Sequence, residues 1–311
     1  SEHGDPRRRG LWTSWPQAGV PAGNLLATAV LAVLSAVQSD EAFLSWGWRV
    51  AFLLSGVLVV IGLWIRLSIA ESPIFLAAQE RAERSGRPER PPVVQLLRTS
   101  WRELLVAMGA RIAENGSYYI ITGFILVYVT QELGLPRSTG LNAVLIGSAV
   151  HLVVTPLWGA LSDRVGRRPV YLFGAVGIGV WAFVFFALLD TRSFGLITCG
   201  VVLGLIMHGA MYGPQAAYFS ELFGTRMRYS GASIGAQLAS IAAGAVAPLI
   251  ATALLADFDG TIMISLYIAA MAVVTVVAVL LSRETRGVSL DGPARDDGAY
   301  ESRDGSAAPA L

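Results

Sequence analysis

Eight stretches of this chain are each long and apolar enough to cross a lipid bilayer, and this constrains the fold more than any other feature. A hydrocarbon core of ~30 Å takes about 20 residues of helix at a rise of 1.5 Å each. The qualifying segments run roughly over 11–37, 47–69, 103–130, 141–161, 169–189, 194–219, 229–255 and 261–282. Lipid offers no water to pair with backbone N–H and C=O groups, so such segments are helices. The first is the most interrupted, by Pro16, Pro21 and Asn24. Composition agrees, because charged residues are only 14% and hydrophobic residues 54%, against about 25% charged in soluble domains. The chain is therefore predicted to be an all-α integral membrane protein of eight transmembrane helices, with lipid as its main partner. A formal net charge of +1 supplies no field for nucleic acid, and none is expected as a partner. The single Cys199 can form no internal disulfide and reads as a packing residue.

The connections test the count independently. Cytoplasmic loops of membrane proteins carry an excess of Lys and Arg. With a cytoplasmic N-terminus and eight alternating spans, Arg49, Arg137 and Arg192 fall outside and Arg111 falls within a helix. Every other one of the 23 basic residues, all arginines, falls on the cytoplasmic side. The external segments carry Asp40, Glu41, Asp190, Asp257 and Asp259 instead. A miscounted span would scramble that separation, so both termini are expected in the cytoplasm.

Two correspondences lie six helices apart. The first and seventh segments each follow a basic cluster and carry glycines four residues apart, Gly19 with Gly23 and Gly231 with Gly235, a spacing common where helices pack closely. The second and eighth exit into Glu71-Ser72-Pro73 and Glu284-Thr285-Arg286-Gly287. They imply a six-helix unit of which the first copy supplies only its last third. On that reading, residues 1–70 are the last two helices of an N-terminal half and 71–102 an Arg/Glu/Pro-rich cytoplasmic linker. Residues 103–286 are a complete C-terminal half, 287–311 a disordered tail, and four further helices are expected upstream of Ser1.

Between the fourth and fifth segments the sequence reads Gly159-Ala160-Leu161-Ser162-Asp163-Arg164-Val165-Gly166-Arg167-Arg168-Pro169. A tight turn there needs Gly166, and Asp163 sits where it can cap the next helix or pair with arginines across the bundle. This run resembles the cytoplasmic signature of major facilitator superfamily transporters. Pro6-Arg7-Arg8-Arg9-Gly10, with Ser14, Gln17, Gly19 and Gly23, is similar to the start of the fifth helix in the metabolite:proton symporter branch. Glu221-Leu222-Phe223-Gly224-Thr225-Arg226-Met227-Arg228 is similar to its entry into the eleventh. The resemblance implies that the eight helices are the fifth to twelfth of a twelve-helix bundle in the cell (inner) membrane. It implies a cytoplasmic latch built from Gly159, Asp163, Arg164, Gly166, Arg167, Arg168, Glu221, Arg226 and Arg228. It also implies symport of a small organic acid or zwitterion, driven by a proton gradient with no cofactor. The oligomeric state is left open.

Ionisable residues at mid-membrane cost about 2.5–3.5 kcal/mol even on the lenient insertion scale, so each is a functional candidate. The third segment holds Arg111 and Glu114. Counted from Glu103, they lie roughly 12 and 16 Å deep, on one face with Asn115, Tyr118 and Thr122. One reading gives Arg111 to a substrate carboxylate, Glu114 to proton coupling and Tyr118 to the pocket wall. The other is an i,i+3 ion pair that neutralises itself and fixes the helix. In the sixth segment His208, Tyr212 and Gln215 share a face, and a histidine at that depth can relay protons or simply pack through hydrogen bonds. His151 is a weaker candidate of the same kind, and Gln17, Asn24 and Gln237 are polar enough to face a central cavity or, equally, to hydrogen-bond between helices.

Other motifs lead nowhere. Gly174, Gly177 and Gly179 lie in an apolar helix with no preceding strand and read as a packing face. Cys and His residues lack metal spacing, so no metal site is predicted. No nucleotide-binding motif appears, which favours an ion gradient as the energy source. A polytopic membrane enzyme is the third choice, because the polar residues are dispersed along helices. The second is a truncated remnant of such a carrier, unable to transport.

Overall fold

The computed structural model describes residues 6–68, 100–223, 228–258 and 260–288. Among these are eight helices long and apolar enough to span a membrane: α1 (Arg9–Val37), α2 (Phe43–Ser68), α3 (Trp101–Glu132), α4 (Arg137–Val165), α5 (Arg167–Asp190), α6 (Phe194–Leu222), α7 (Ser233–Asp257) and α8 (Ile262–Leu281). All eight expected spans are present. The main difference lies at the link between α4 and α5, where helix runs on to Val165 and resumes at Arg167. Gly166, at φ 108°, is the whole connection, a conformation that side chains with a Cβ avoid.

The helices alternate in direction, so one end of the bundle carries Arg9, Gly166 and Glu284 and the other Arg137 and Arg192. The first is called the basic end below. Helices α3 to α8 share one core, in which α4, α6, α5, α8, α3 and α7 pack in that spatial sequence. Tyr171, Phe124, Phe185 and Phe186 are its largest fully buried aromatic groups alongside Tyr218. Polar ties fix the order of neighbours. Thr275 of α8 donates to the Gly109 carbonyl of α3 and accepts from the Ala113 amide, while Ser265 of α8 donates to Ala182 of α5. Tyr128 of α3 is hydrogen-bonded to Asp190 of α5, and Tyr218 of α6 to Ser282. Such bonds matter in lipid because apolar contact alone does not drive helices together there.

α1 lies across α4 and α6. α2 packs mainly against α1 and meets α4 where Arg137 lies over the Phe43 ring, and none of its residues from Trp48 to Ser68 is buried. Gly19 and Gly23 have no atom of the described residues within 4 Å of where a Cβ would stand, so that spacing does not mark a packed seam here. Gly235 does pack, 3.2 Å from the Ala107 Cβ by the same measure, and Gly174 and Gly177 meet Met207 and Met211 of α6. Cys199 is exposed on the outer surface of α6 and is not a core residue. Residues 71–99 of the expected linker lie outside the described residues, as does the tail beyond Val288.

Candidate functional site

Two polar assemblies stand out, one at the basic end and one midway along the bundle. At the basic end, the free N–H groups of the first turn of α1 point at α4. The first amides of any helix lack intrahelical acceptors. Here Gly10 N–H donates to Asp163 Oδ1 (2.8 Å) and Leu11 N–H to Asp163 Oδ2 (2.9 Å). One carboxylate from the last turn of α4 therefore caps a helix from elsewhere in the chain, with its charge on the positive end of that helix dipole. Close approach makes this possible: a Cβ on Gly159 would stand 2.6 Å from the Gly10 carbonyl oxygen and 2.7 Å from Ser14 Oγ. Asp163 was expected to cap the next helix or pair with arginines. The arginine it pairs with is its i+4 neighbour Arg167 (Nη1, 2.7 Å) and not one across the bundle, and the helix it caps is α1 rather than α5.

Glu221, at the end of α6, gathers the rest. Its fully buried carboxylate accepts from Arg167 through Nε and Nη2, both at 3.2 Å, in a two-pronged geometry suited to guanidinium. It also accepts from Arg9 Nη1 of α1 (3.1 Å) and Thr285 Oγ1 (2.8 Å). Arg9 reaches on to the Val288 carbonyl (3.0 Å). Beside it, Glu284 and Arg168 exchange caps. Glu284 accepts from the amides of Arg167 and Arg168 at the start of α5, while Arg168 donates to the Val279 and Leu280 carbonyls at the end of α8. Partial burial acts to raise the Glu284 carboxyl, but the amides of Arg167, Arg286, Arg168 and Thr285 outweigh it and hold it below its ordinary value. Arg164 is exposed and stays out of this network. Arg226 lies outside the described residues, and Arg228 opens the helical segment leading into α7. Ser162 of the motif joins the assembly by accepting from Arg167, and Arg9, Glu284 and Thr285 belong to it as well, though that motif does not include them.

Midway along the bundle, Arg111 and Glu114 bond side chains of α6 and α7, and through these join a cluster that also draws on α1, α4 and α5. Arg111 Nη1 donates to Gln215 Oε1 (2.6 Å) and Nη2 to Ser240 Oγ (3.2 Å), whereas its Nε lies 3.6 Å from Glu114 Oε2. That separation is too long for a hydrogen bond. The two form an i,i+3 ion pair without a direct hydrogen bond, and each member makes its hydrogen bonds elsewhere. Glu114, only 2% exposed, accepts from Gln215 Nε2 (2.9 Å) and faces His208 Nε2 at 3.2 Å. Gln215 Nε2 also donates to Tyr171 Oη (3.1 Å), which donates to the Ala110 carbonyl (3.0 Å). Gln17 of α1 reaches Gln215 Oε1 at 3.5 Å. Ser240 begins a π-helical turn in α7, Ser240–Ala245, a distortion often found at functional sites.

The expected stripe on α3 splits. Asn115 turns to α7, where its Nδ2 donates to Ser240 Oγ (3.3 Å). Tyr118 stacks beside His208 with ring centroids 5.0 Å apart, and Tyr212 flanks the same ring at 5.4 Å. Thr122 donates to the Tyr118 carbonyl within its own helix and does not join. His208, Tyr212 and Gln215 do share one buried face. His151 of α4 belongs to the site, since its Nε2 lies 3.0 Å from His208 Nδ1. Asn24 donates to Ser148 of α4 (2.7 Å), one turn before His151. Gln237 is exposed. A cleft of about 360 Å³ at the opposite end, between Leu31, Phe43, Leu126, Thr130, Arg137 and Leu141, shares no residue with this cluster.

Residues 1–296 match the family model described as sugar (and other) transporter. The chain is 37% identical over 295 residues to the inner membrane metabolite transport protein YhjE of Escherichia coli, covering 93% of this chain and 66% of that protein. It is 34% identical over 287 residues to the shikimate transporter of the same organism (92% and 65%) and 30% identical over 304 residues to its proline/betaine transporter (96% and 61%). The fold is similar to that of the proton:xylose symporter XylE bound to 6-bromo-6-deoxy-D-glucose, with a TM-score of 0.64 at 20% identity over 91% of this chain and 66% of that one. The chain thus spans just under two thirds of the length of these relatives.

Proposed function

Because the chain belongs to the sugar (and other) transporter family of the major facilitator superfamily, we propose that it serves the proton-coupled symport of a small organic carboxylate or zwitterion by alternating access. Its helices take the places of the fifth to twelfth of twelve, with the basic end in the cytoplasm. The distribution of arginines supports that orientation. The observation that carries the reading is the mid-membrane cluster, in which one guanidinium and one carboxylate pair across 3.6 Å while their hydrogen bonds go to Gln215, Ser240 and His208.

The chemistry follows from electroneutrality in a low-dielectric site. With Glu114 ionised, its charge offsets that of Arg111, and a substrate carboxylate arriving at Arg111 would meet a like charge close by. Protonating Glu114 leaves Arg111 as an unbalanced cation with donors that a carboxylate can take up in pairs. Proton and anion are then favourable together and unfavourable apart, which is coupling. Gln215 can follow either state, since its amide offers an oxygen to Arg111 and N–H groups to Glu114. The latch of Asp163, Arg167, Glu221 and Arg9 closes the cytoplasmic end in this conformation. Opening it requires α1 to leave α4 and α6, a rocking of one half against the other.

Relatives whose names specify shikimate, proline and betaine supply the probes. Uptake of each into proteoliposomes under an imposed proton gradient, by the chain and by a form extended with its upstream reading frame, tests the function. Glu114→Gln is expected to abolish the pH dependence of uptake. Unchanged pH dependence would remove Glu114 as the coupling carboxylate. A second reading, a transport-incompetent remnant, is favoured by α2, which has no buried residue from Trp48 to Ser68. Uptake by the extended form but not by the chain alone supports it.

A further inference from the structure

The mechanism above uses Glu114 but leaves two buried imidazoles unexplained. His208 and His151 are 2% and 1% exposed, and they form an unbroken line with the carboxylate: Glu114 Oε1 to His208 Nε2 at 3.2 Å, then His208 Nδ1 to His151 Nε2 at 3.0 Å. His151 Nδ1, also buried, has no hydrogen-bond partner among the described residues. Elementary valence assigns the protons. An ionised carboxylate only accepts, so His208 carries its hydrogen on Nε2. In a neutral ring Nδ1 is then an acceptor, so His151 must donate through its own Nε2. That leaves His151 Nδ1 as a bare lone pair at the end of the line. Tyr118 and Tyr212 lie against both rings, which opposes reorientation of the imidazoles and favours proton shifts along fixed nitrogens.

We propose that His151, His208 and Glu114 form a proton wire, with His151 Nδ1 as its terminal, through which the coupling proton reaches and leaves Glu114 on the side away from Arg111. The proposal rests on Glu114 being the coupling carboxylate. The steps balance. A proton from water bonds to His151 Nδ1, and the Nε2 proton of His151 passes to His208 Nδ1. The Nε2 proton of His208 passes to Glu114 Oε1. One proton has entered, the carboxyl is neutral, and both rings are neutral in the opposite tautomer. Release runs the same shifts backwards.

The surroundings suit the task. The ionisable groups facing this line are Arg111, Tyr118 and Tyr119 of α3, Tyr171 of α5 and Tyr212 of α6. α1 contributes the uncharged Gln17 and Asn24, and α7 contributes Ser240. The charged residues of α1, α4, α5 and α7 lie at their ends, and α8 has none, so no second carboxylate competes for the proton. The Asn24–Ser148 bond joins α1 to α4 one turn from His151. Rocking α1 away would part these two groups and let water reach the terminal.

The test is magnetic resonance of the ring nitrogens in protein labelled with ¹⁵N-histidine and held in lipid bilayers. The sequence contains 3 histidines, and a His3→Asn background leaves only the two in question. At high pH the bare nitrogen is expected to be Nδ1 in both rings, with a coupling across the N–H···N bond between them. On acidification, both bare nitrogens are expected to move to Nε2 together, in step with protonation of the Glu114 carboxyl followed by its ¹³C shift. In His151→Gln the His208 tautomer is expected to stay fixed. Glu114 protonating while either ring keeps its tautomer, or while the rings become doubly protonated, overturns the wire but not the role of Glu114. A His208 that still switches in His151→Gln removes His151 as the terminal. A Glu114 that stays ionised throughout overturns both readings.

Discussion

The Asp163 cap on α1 can be tested amide by amide. Replacing Asp163 with Asn keeps one oxygen acceptor and puts an NH₂ group where the other stood. One of the two amides, Gly10 or Leu11, then faces a donor in a seam where Gly159 leaves no room for rearrangement. A buried donor without an acceptor costs about 1–3 kcal/mol, and losing an anion at a helix N-terminus removes a further ~0.3–1 kcal/mol. Arg167 keeps Ser162 and both bonds to Glu221, so its own position contributes little to the change. The sum, roughly 1.3–4 kcal/mol, corresponds to a change of about 10- to 10³-fold, centred on the order of 10²-fold, in the opening of this helix end. Hydrogen exchange at residues 10 and 11 reads that opening directly. Exchange there is expected to rise by that factor in Asp163→Asn and further in Asp163→Ala, with the amides inside α6 unchanged. Equal exchange in all three proteins would refute the cap, and a uniform rise along the whole bundle would refute the claim that the carboxylate acts locally.

Other consequences are as direct. Gly159→Ala should push α1 off α4, because its Cβ would meet the Gly10 carbonyl oxygen at 2.6 Å; overpacking of this kind costs about 1–3 kcal/mol, visible as a lower midpoint of thermal unfolding in detergent. Arg111→Lys keeps the charge but cannot reach Gln215 and Ser240 at once in planar geometry, so on the proposed function weaker binding of a carboxylate substrate is expected, measured by equilibrium dialysis. Glu284 is held below its ordinary value of 4.5, so its stabilisation is present above that value and is lost as pH falls through the lower folded one. Glu284→Gln should therefore loosen residues 283–288 at neutral pH, with the difference from wild type vanishing in acid, as read by proteolysis. Glu221→Gln should cost more than Glu284→Gln, since Glu221 is buried against two arginines; comparing their unfolding midpoints checks the ranking.

The spans were readable because a bilayer fixes the length of helix that can cross it, and their direction because arginines collect on one side. Gly166 was readable too, as a turn that a Cβ would strain. Helical periodicity placed His208, Tyr212 and Gln215 on one face but could not say which neighbour that face meets. His151 is 57 positions away from His208, and Ser240 is 129 from Arg111. Only the packing order of the helices brings them together. The same limit explains Asp163, whose cap target lies 153 positions earlier, and Glu284 and Thr285, which the sequence marks only as a helix end. Gly19 and Gly23 erred the other way. Their spacing suits close packing, but small residues permit contact without causing it, and nothing among the described residues lies against them.

The one-residue link at Gly166 has a mechanical meaning. Two rods joined by a single residue have no slack, so the end of α4 and the start of α5 must move together. Asp163 and His151 ride on the same arm, twelve residues or about 18 Å apart at the helical rise, just as Glu221 and Gln215 share α6. Tilt at the latch is then felt at the buried cluster through the shafts themselves, with no chain of intermediate contacts to carry it. Longer connections can take up an inserted residue. An insertion beside Gly166 would let α5, which carries Arg167, turn apart from α4, which carries Asp163.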